Sequence, residues 1–249
     1  MIRSVRRTFD ILEFLAAIPE TPRTVAEIAA NVAVPVATCG RILQTLVACD
    51  YAEQLPRKGG FVLGPMAYAL ASRGPYRKDL ARLAEPETRR LASRIDETLV
   101  LVTLHRGKRY ELCKVEGDRS VQVRDDAPQL DRLYETATGR ALLAWLDPED
   151  LALAVKRNGM PGKAWPEANT KRKMARELER IRAAGRVTVL AEGNIVYVAQ
   201  PVFEGDAAVA AVGVYLPEHR FAGSHKKEIV NGLDELAKTL AGKLANRSL

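Results

Sequence analysis

Cysteine, histidine and aromatic side chains are scarce in this chain: of 249 residues, 3 are cysteine, 3 are histidine and 6% are aromatic. Cys39, Cys49 and Cys113 are odd in number and share no metal or redox spacing, which argues against a disulfide framework. They are expected as small buried apolar residues in a reducing cytoplasm. His105, His219 and His225 show no zinc-binding pattern, and nothing in the sequence sets one beside an activated serine or cysteine. No metal and no cofactor is expected. Long apolar runs are missing too. Val209 to Leu216, VAAVGVYL, falls far short of the roughly 20 residues of a membrane span. The opening MIRSVRRTFDILEFLAA begins basic, but Asp10 and Glu13 interrupt what would have to be the apolar region of a signal peptide. A cytoplasmic protein without a membrane partner is the expectation.

What the chain does have is a core-forming composition, with 47% hydrophobic against 28% charged residues, and a formal charge of +7. The length allows two modest domains, and the basic excess favours an anionic partner without deciding which. Three short helical patterns crowd the N-terminus. Ile11, Leu12, Phe14 and Leu15 give the first its apolar side. Thr24-Val25-Ala26-Glu27 has the spacing of a capping box and opens the second, which should end near Asn31. Pro35 suits the first turn of a third.

In that third helix, PVATCGRILQTLV, a turn of about 100° per residue gathers Cys39, Ile42, Leu43, Leu46 and Val47 on one side. Ala37, Gly40, Arg41, Gln44, Thr45 and Ala48 gather on the other. The second side carries an arginine and no acid, which suits approach to a phosphate-lined groove. Gly40 costs about 1 kcal/mol relative to alanine in a helix interior, a cost tolerable where backbone must come close to a partner. The alternative is a small core helix with a chance arginine. Two short strand patterns follow, Tyr51 to Leu55 and Phe61 to Gly64. Between them Arg57 and Lys58 fall at a glycine-bearing tip. A helix pair joined by a tight turn and followed by such a wing is a winged helix-turn-helix, which sets its second helix in the major groove of double-stranded DNA.

RSVRRTFDILEFLA, TVAEIAANVAVPVATCGRILQTL and GGFVLG resemble the winged helix of the IclR-type transcriptional regulators. LYETATGRALLAWL and IVYVAQPVF resemble the same family's effector-binding domain. The resemblance covers nearly the whole chain in the expected order. It implies an α+β protein with a winged helix-turn-helix at residues 1–64, a linker helix at 65–76 and a GAF/profilin-like α/β effector-binding domain at 77–249. It also implies assembly as a homodimer or dimer of dimers on a palindromic operator. Thr38, Arg41, Gln44 and Thr45 keep the family's recognition-helix pattern. Ala33 stands where the turn usually has glycine, Ala37 where serine is usual, and Gly40 where a larger residue sits. The candidate DNA-contacting set is Thr24 at the start of the preceding helix, Ala37, Thr38, Gly40, Arg41, Gln44 and Thr45 in the third helix, and Arg57 and Lys58 in the wing.

Further along, Thr98 to His105 and Arg109 to Glu116 form a hairpin pattern, continued by Val121 to Arg124. A basic helix over 170–184 has a thin apolar stripe and an outer face expected in solvent. Strands are expected at 186–189, 194–202 and 208–215, and a closing helix at 224–245. Strands broken by helices with hairpin-length links favour α+β over a doubly wound sheet.

Tyr134-Glu135-Thr136-Ala137-Thr138-Gly139 passes from loop into helix and presents hydroxyls and amides able to hold a carboxylate. Plain helix capping by Thr136 or Thr138 is the alternative. The family resemblance makes this loop one wall of an effector site, with the far wall from positions matching Tyr197, Gly213 and Tyr215. The apolar strand residues Val121, Val123, Val187 and Val189 are expected to complete the cavity. The tyrosines and valines point to an aromatic or bulky organic acid, unless the tyrosines themselves fill the space. An enzyme or nucleotide-binding protein with an incidental basic helix pair is the competing class. Its support is thin, because the glycines of Gly159 to Ala164 are too closely spaced for a phosphate loop and no Ser or Thr follows Lys163. The carboxylates Glu111, Glu116, Asp125 and Asp126 carry no catalytic pattern.

Overall fold

The computed structural model describes residues 2–17, 21–56, 59–73, 78–119 and 132–246. They fall into two compact units, one within 2–73 and the other within 78–246. In the first, helices α1 (Arg3–Ala17), α2 (Val25–Asn31) and α3 (Val36–Ala48) pack their apolar sides together, and Ile11, Leu15, Ile28, Cys39, Leu43 and Leu46 are buried between them. Each such Leu or Ile taken from water stabilises the unit by about 1.5–3 kcal/mol. Cys39 is thus a core residue, and burial pushes its thiol pKa upward.

The expected capping box is formed. The Thr24 hydroxyl accepts from the Glu27 amide at 3.3 Å, and the Thr24 amide donates to Glu27 Oε2 at 2.7 Å. The other end of α2 closes with two backbone bonds, from Val34 N to Ala29 O at 3.0 Å and from Ala33 N to Ala30 O at 3.4 Å. This is a Schellman arrangement, whose penultimate residue must be left-handed. Ala33 supplies that conformation with φ 51°. The chain then turns so that α2 and α3 meet at 110°, within the range of a DNA-binding helix pair.

Pro35 lies one step earlier than expected. Its ψ of 140° is outside the helical region, so it is the N-cap, and its carbonyl accepts from Thr38 N and Cys39 N. Strands β1 (Ala52–Gln54) and β2 (Phe61–Leu63) pair antiparallel, and Arg23 adds a backbone bridge to Phe61. Helix α4 (Pro65–Arg73) follows directly, with Tyr68 and Leu70 exposed.

The second unit is built on a five-stranded antiparallel sheet, in the order β4-β3-β7-β6-β5: β3 Thr98–His105, β4 Lys108–Val115, β5 Val187–Ala191, β6 Ile195–Glu204 and β7 Ala207–Pro217. Both faces are covered, so the central strands are apolar at successive positions rather than at alternate ones. On one face Leu99, Leu101, Val198 and Val214 pack against α5 (Lys78–Ile95) and α9 (Gly223–Ala245). On the other, Val100, Val102, Tyr197 and Tyr215 pack against α6 (Ala137–Ala144) and α8 (Lys171–Ala184). Helix α7 (Pro148–Asn158) completes that layer through Ala154.

The thin stripe of α8, extended by Met174 to Leu178 and Ile181, is buried, and most of its basic residues are exposed. The β3–β4 turn is two residues long, with Arg106 at φ 49° and Gly107 at φ 74°, both signs matching the primed turn that suits twisted strands. Lys108 therefore belongs to β4 rather than to the turn. Val121 to Arg124 lies outside the described residues.

Candidate functional site

The outer flank of α3 is open. Ala37, Arg41, Gln44 and Thr45 are exposed, Thr38 and Gly40 are half-buried, and no acidic side chain stands among them. A Cβ built at Gly40 meets no atom within 4 Å, so nothing inside the fold requires glycine there. Thr45 donates its hydroxyl to Arg41 O at 3.1 Å. Thr24 is also exposed, with its hydroxyl and amide occupied by the capping box. Arg57 and Lys58 of the wing lie outside the described residues. On either side of them, Leu55 N donates to Gly60 O at 2.9 Å.

In the second unit, a small cavity opens between the start of α6 and the middle of the sheet. Thr136, Ala137 and Thr138 form one wall. Tyr197 from β6 and Gly213 and Tyr215 from β7 form the other. The register explains the meeting: Val189, Tyr197, Tyr215 and Thr98 lie side by side across four strands. The two tyrosine rings are 5.9 Å apart between centroids and tilted by 36°. Gly213 admits the helix, since a Cβ there would come within 2.6 Å of Thr138 Cγ2. The cavity volume is about 10 Å³, enough for about one water.

Thr136 acts as the N-cap of α6. Its hydroxyl accepts from Gly139 N at 3.2 Å and donates to Arg132 O at 3.0 Å. The capping alternative thus holds for Thr136, while Ala137 and Thr138 of the first turn line the cavity. Gly139 is not on the cavity wall. It packs beneath Leu133, whose carbonyl oxygen would collide with any Cβ. Val187 and Val189 are buried in the core layer beneath α8, and neither lines the cavity. Val121 and Val123 lie outside the described residues.

Val187 instead borders a separate cleft of about 210 Å³ beside Arg140, Trp165 and Arg180. Arg140 donates from Nε to Tyr134 O at 2.7 Å and from Nη2 to Ala164 O at 2.8 Å, and its guanidinium lies 4.6 Å over the Trp165 ring. Burial lowers its pKa to about 10, opposed by the charges of Glu167, Glu135 and Glu177. Arg180 is held by Glu177 at 2.9 Å.

Four lining residues escaped the sequence, Val100, Arg109, Val198 and Val214, and of these Arg109 is the charged one, 2% exposed. The signal was in the turn. A two-residue Arg106-Gly107 link pairs Leu104 with Arg109, and paired residues share a face, so Arg109 points the way Leu104 does, toward the α6 layer.

No single helix among the described residues is long and apolar enough to cross a membrane, and no group of three or more His, Cys, Asp or Glu among them could hold a metal. The family model of the bacterial transcriptional regulator IclR C-terminal matches residues 76–241, and that of the IclR helix-turn-helix domain matches residues 4–56. The HTH-type transcriptional regulator KdgR of Dickeya chrysanthemi is 23% identical over 246 residues, 98% of this chain and 80% of that protein. An IclR transcriptional regulator from Alicyclobacillus acidocaldarius has the same fold, with a TM-score of 0.78 at 23% identity over 98% of this chain and 99% of that one. So does an IclR homolog from Microbacterium hydrocarbonoxydans complexed with 4-hydroxybenzoate, with a TM-score of 0.74 at 22% identity over 97% and 98%. Such relatives are named as regulators rather than enzymes. The chain belongs to the IclR family of bacterial transcriptional regulators.

Proposed function

We propose that this chain is a sequence-specific DNA-binding regulator of the cytoplasm, with residues 1–64 reading DNA, 65–76 linking and 77–249 sensing a small organic acid. The outer flank of α3 is the observation that carries the reading. It is exposed and acid-free, and at Gly40 it keeps an opening that the fold does not use. In the major groove Ala37, Thr38, Gly40, Arg41, Gln44 and Thr45 face the bases, Arg41 being the principal contact, while Thr24, Arg57 and Lys58 meet the backbone. A bidentate arginine contact to guanine is worth about 1–3 kcal/mol of discrimination.

Two copies on a palindromic operator fit the apolar surface left open in the first unit. Ile2, Val5 and Phe9 of the N-terminal segment and Met66, Tyr68 and Leu70 of α4 are all exposed. Such side chains favour a homodimer or a dimer of dimers. The cavity of the second unit takes the effector, and an aromatic acid, like the 4-hydroxybenzoate of the Microbacterium hydrocarbonoxydans homolog, seats there when Tyr197 and Tyr215 move aside. An effector changes DNA binding only through a difference in affinity between the competent and incompetent arrangements.

Mobility shifts on fragments from the regulator's own upstream region test the reading. Specific binding should weaken steeply with salt, and Arg41→Ala should reduce it about tenfold or more. Unchanged specific binding by Arg41→Ala would remove α3 from the groove.

A further inference from the structure

Gly185 closes α8 in the left-handed conformation, at φ 66°, with its amide donating to Ile181 O at 2.9 Å, and the turn sets Arg186 beside the end of that helix. β5 follows at once as an edge strand. The cleft of about 210 Å³ lies at this junction. It far exceeds the about 10–15 Å³ that one water needs and falls below the roughly 300 Å³ of a drug-sized site, a size suited to a small polar ligand.

The lining is rich in donors and poor in acceptors. Three guanidiniums from three places in the chain belong to it, those of Arg140 in α6, Arg180 in α8 and Arg186, and no carboxylate of the described residues does. The surface turned to the cleft is mostly polar. Arg140 gives Nε and Nη2 to the Tyr134 and Ala164 carbonyls, while its Nη1 has no acceptor among the described residues and is not sealed from solvent. Arg180 gives Nε and Nη2 to one oxygen of Glu177, which leaves its Nη1 without an acceptor there. Arg186 is exposed and takes part in no hydrogen bond or ion pair among the described residues. Charge is undercompensated as well. Glu177 is paired with one of the three guanidiniums. Glu167 and Glu135 attract Arg140 without forming an ion pair, yet burial outweighs them and lowers its pKa to about 10.

We propose that this cleft is a ligand site of its own, for a phosphate group, held by Arg186 and by the unoccupied amino groups of Arg140 and Arg180. It is separate from the cavity at the start of α6 and does not depend on that cavity's role. A phosphate group suits the set better than a carboxylate. It brings three terminal oxygens and nearly two negative charges, whereas one guanidinium fork already fills both oxygens of a carboxylate. The Trp165 ring, 4.6 Å beneath the Arg140 guanidinium, and the two carbonyls fix that side of the site in advance.

The test is calorimetric titration of the full-length protein, at constant ionic strength, with inorganic phosphate, glycerol 3-phosphate, acetate and glycerol. At least one phosphate compound should bind saturably at about millimolar concentration or below, with acetate and glycerol at least tenfold weaker. A tighter ester marks a phosphorylated metabolite as the ligand, and inorganic phosphate of equal or greater affinity marks the free ion. Arg186→Gln should weaken the phosphate about tenfold or more, and Arg186→Lys, which keeps the charge without the planar fork, should fall between. Neither should move the melting midpoint, because Arg186 holds nothing else among the described residues. Lys171→Gln removes a like charge from the exposed start of α8, about 13.5 Å along the helix axis from Arg180, and should leave the affinity as it was.

Equal losses in Lys171→Gln and Arg186→Gln would show attraction to the basic face at large and overturn the site. Phosphate heat untouched by Arg186→Gln would place the ion elsewhere on the chain, with the same consequence. Acetate as tight as phosphate, or no heat from either phosphate compound, overturns the proposal without recourse to any variant.

Discussion

Replacing Ala33 by glycine is expected to stabilise the N-terminal unit. Ala33 holds φ 51° between two backbone bonds that close the end of α2, one from Ala33 N to Ala30 O and one from Val34 N to Ala29 O. The bonds leave it no freedom to relax. An L-residue in this region suffers a clash of its Cβ with the following carbonyl, costing about 1–2 kcal/mol. Glycine removes the clash but has more freedom when unfolded, returning about 0.4–1 kcal/mol. The net gain is roughly 0.5–1 kcal/mol.

For a unit of this size a gain of that order raises the melting temperature by roughly 2–8 °C. The chain's tryptophans, Trp145 and Trp165, both lie in the second unit, so their fluorescence follows that unit alone while far-UV circular dichroism records both. The dichroism transition of the first unit should move upward in Ala33→Gly and the fluorescence transition should not. Ala33→Val, with its branched Cβ, should move the first transition downward. A lower or unchanged midpoint for the glycine variant, or an unaffected valine variant, would refute the argument.

Glu27 offers a pH test. Its pKa is lowered by the Thr24 backbone bond first and the Thr24 side-chain bond second, so the folded unit binds its proton less tightly than the unfolded chain does. The contribution is present above the ordinary value of 4.5 and is lost as pH falls through the lower folded value. The gap in melting midpoint between wild type and Glu27→Gln should therefore shift across acid pH and be flat from pH 6 to 8; a gap independent of pH would count against it. Gly139→Ala should cost about 2–4 kcal/mol, by forcing the Leu133 carbonyl away from α6, read as an earlier tryptophan fluorescence transition. Arg140→Met leaves the Tyr134 and Ala164 carbonyls without their guanidinium donor and uncovers Trp165. A loss of about 2–3 kcal/mol and a shifted emission maximum are expected, and unchanged denaturation would show the guanidinium to be dispensable.

The elements were legible in the sequence where local chemistry chose them. Thr24 and Glu27 declare the start of α2 because the capping bonds are made within four residues. The buried stripe of α3, Cys39, Leu43 and Leu46, follows from helical periodicity. The sheet strands were found to within a few residues because their apolar runs end at glycine-bearing turns. The cavity was less legible. Thr138 and Gly213 are about 75 residues apart and meet only through strand order, and the family resemblance rather than spacing brought them together. Val187 and Val189 have the right chemistry for a cavity wall, yet they stand on the edge strand and fill the layer under α8. Arg109 went unseen because an arginine in an alternating strand is ordinarily an outward residue, and only the two-residue turn reveals its face.

A space of about 10 Å³ beside Tyr197 and Tyr215 gives the resting protein no vacancy for anything larger than water. If this cavity is the effector site, a bulkier guest has to wait for the rings to part, and its observed rate of complex formation should stop climbing with concentration once parting becomes the slow step. On that reading the apparent dissociation constant carries the same toll: an open fraction of about one in a hundred would make it about a hundredfold weaker than the intrinsic one. Loosening the ring pair would then sharpen the response without adding a single new contact to the guest.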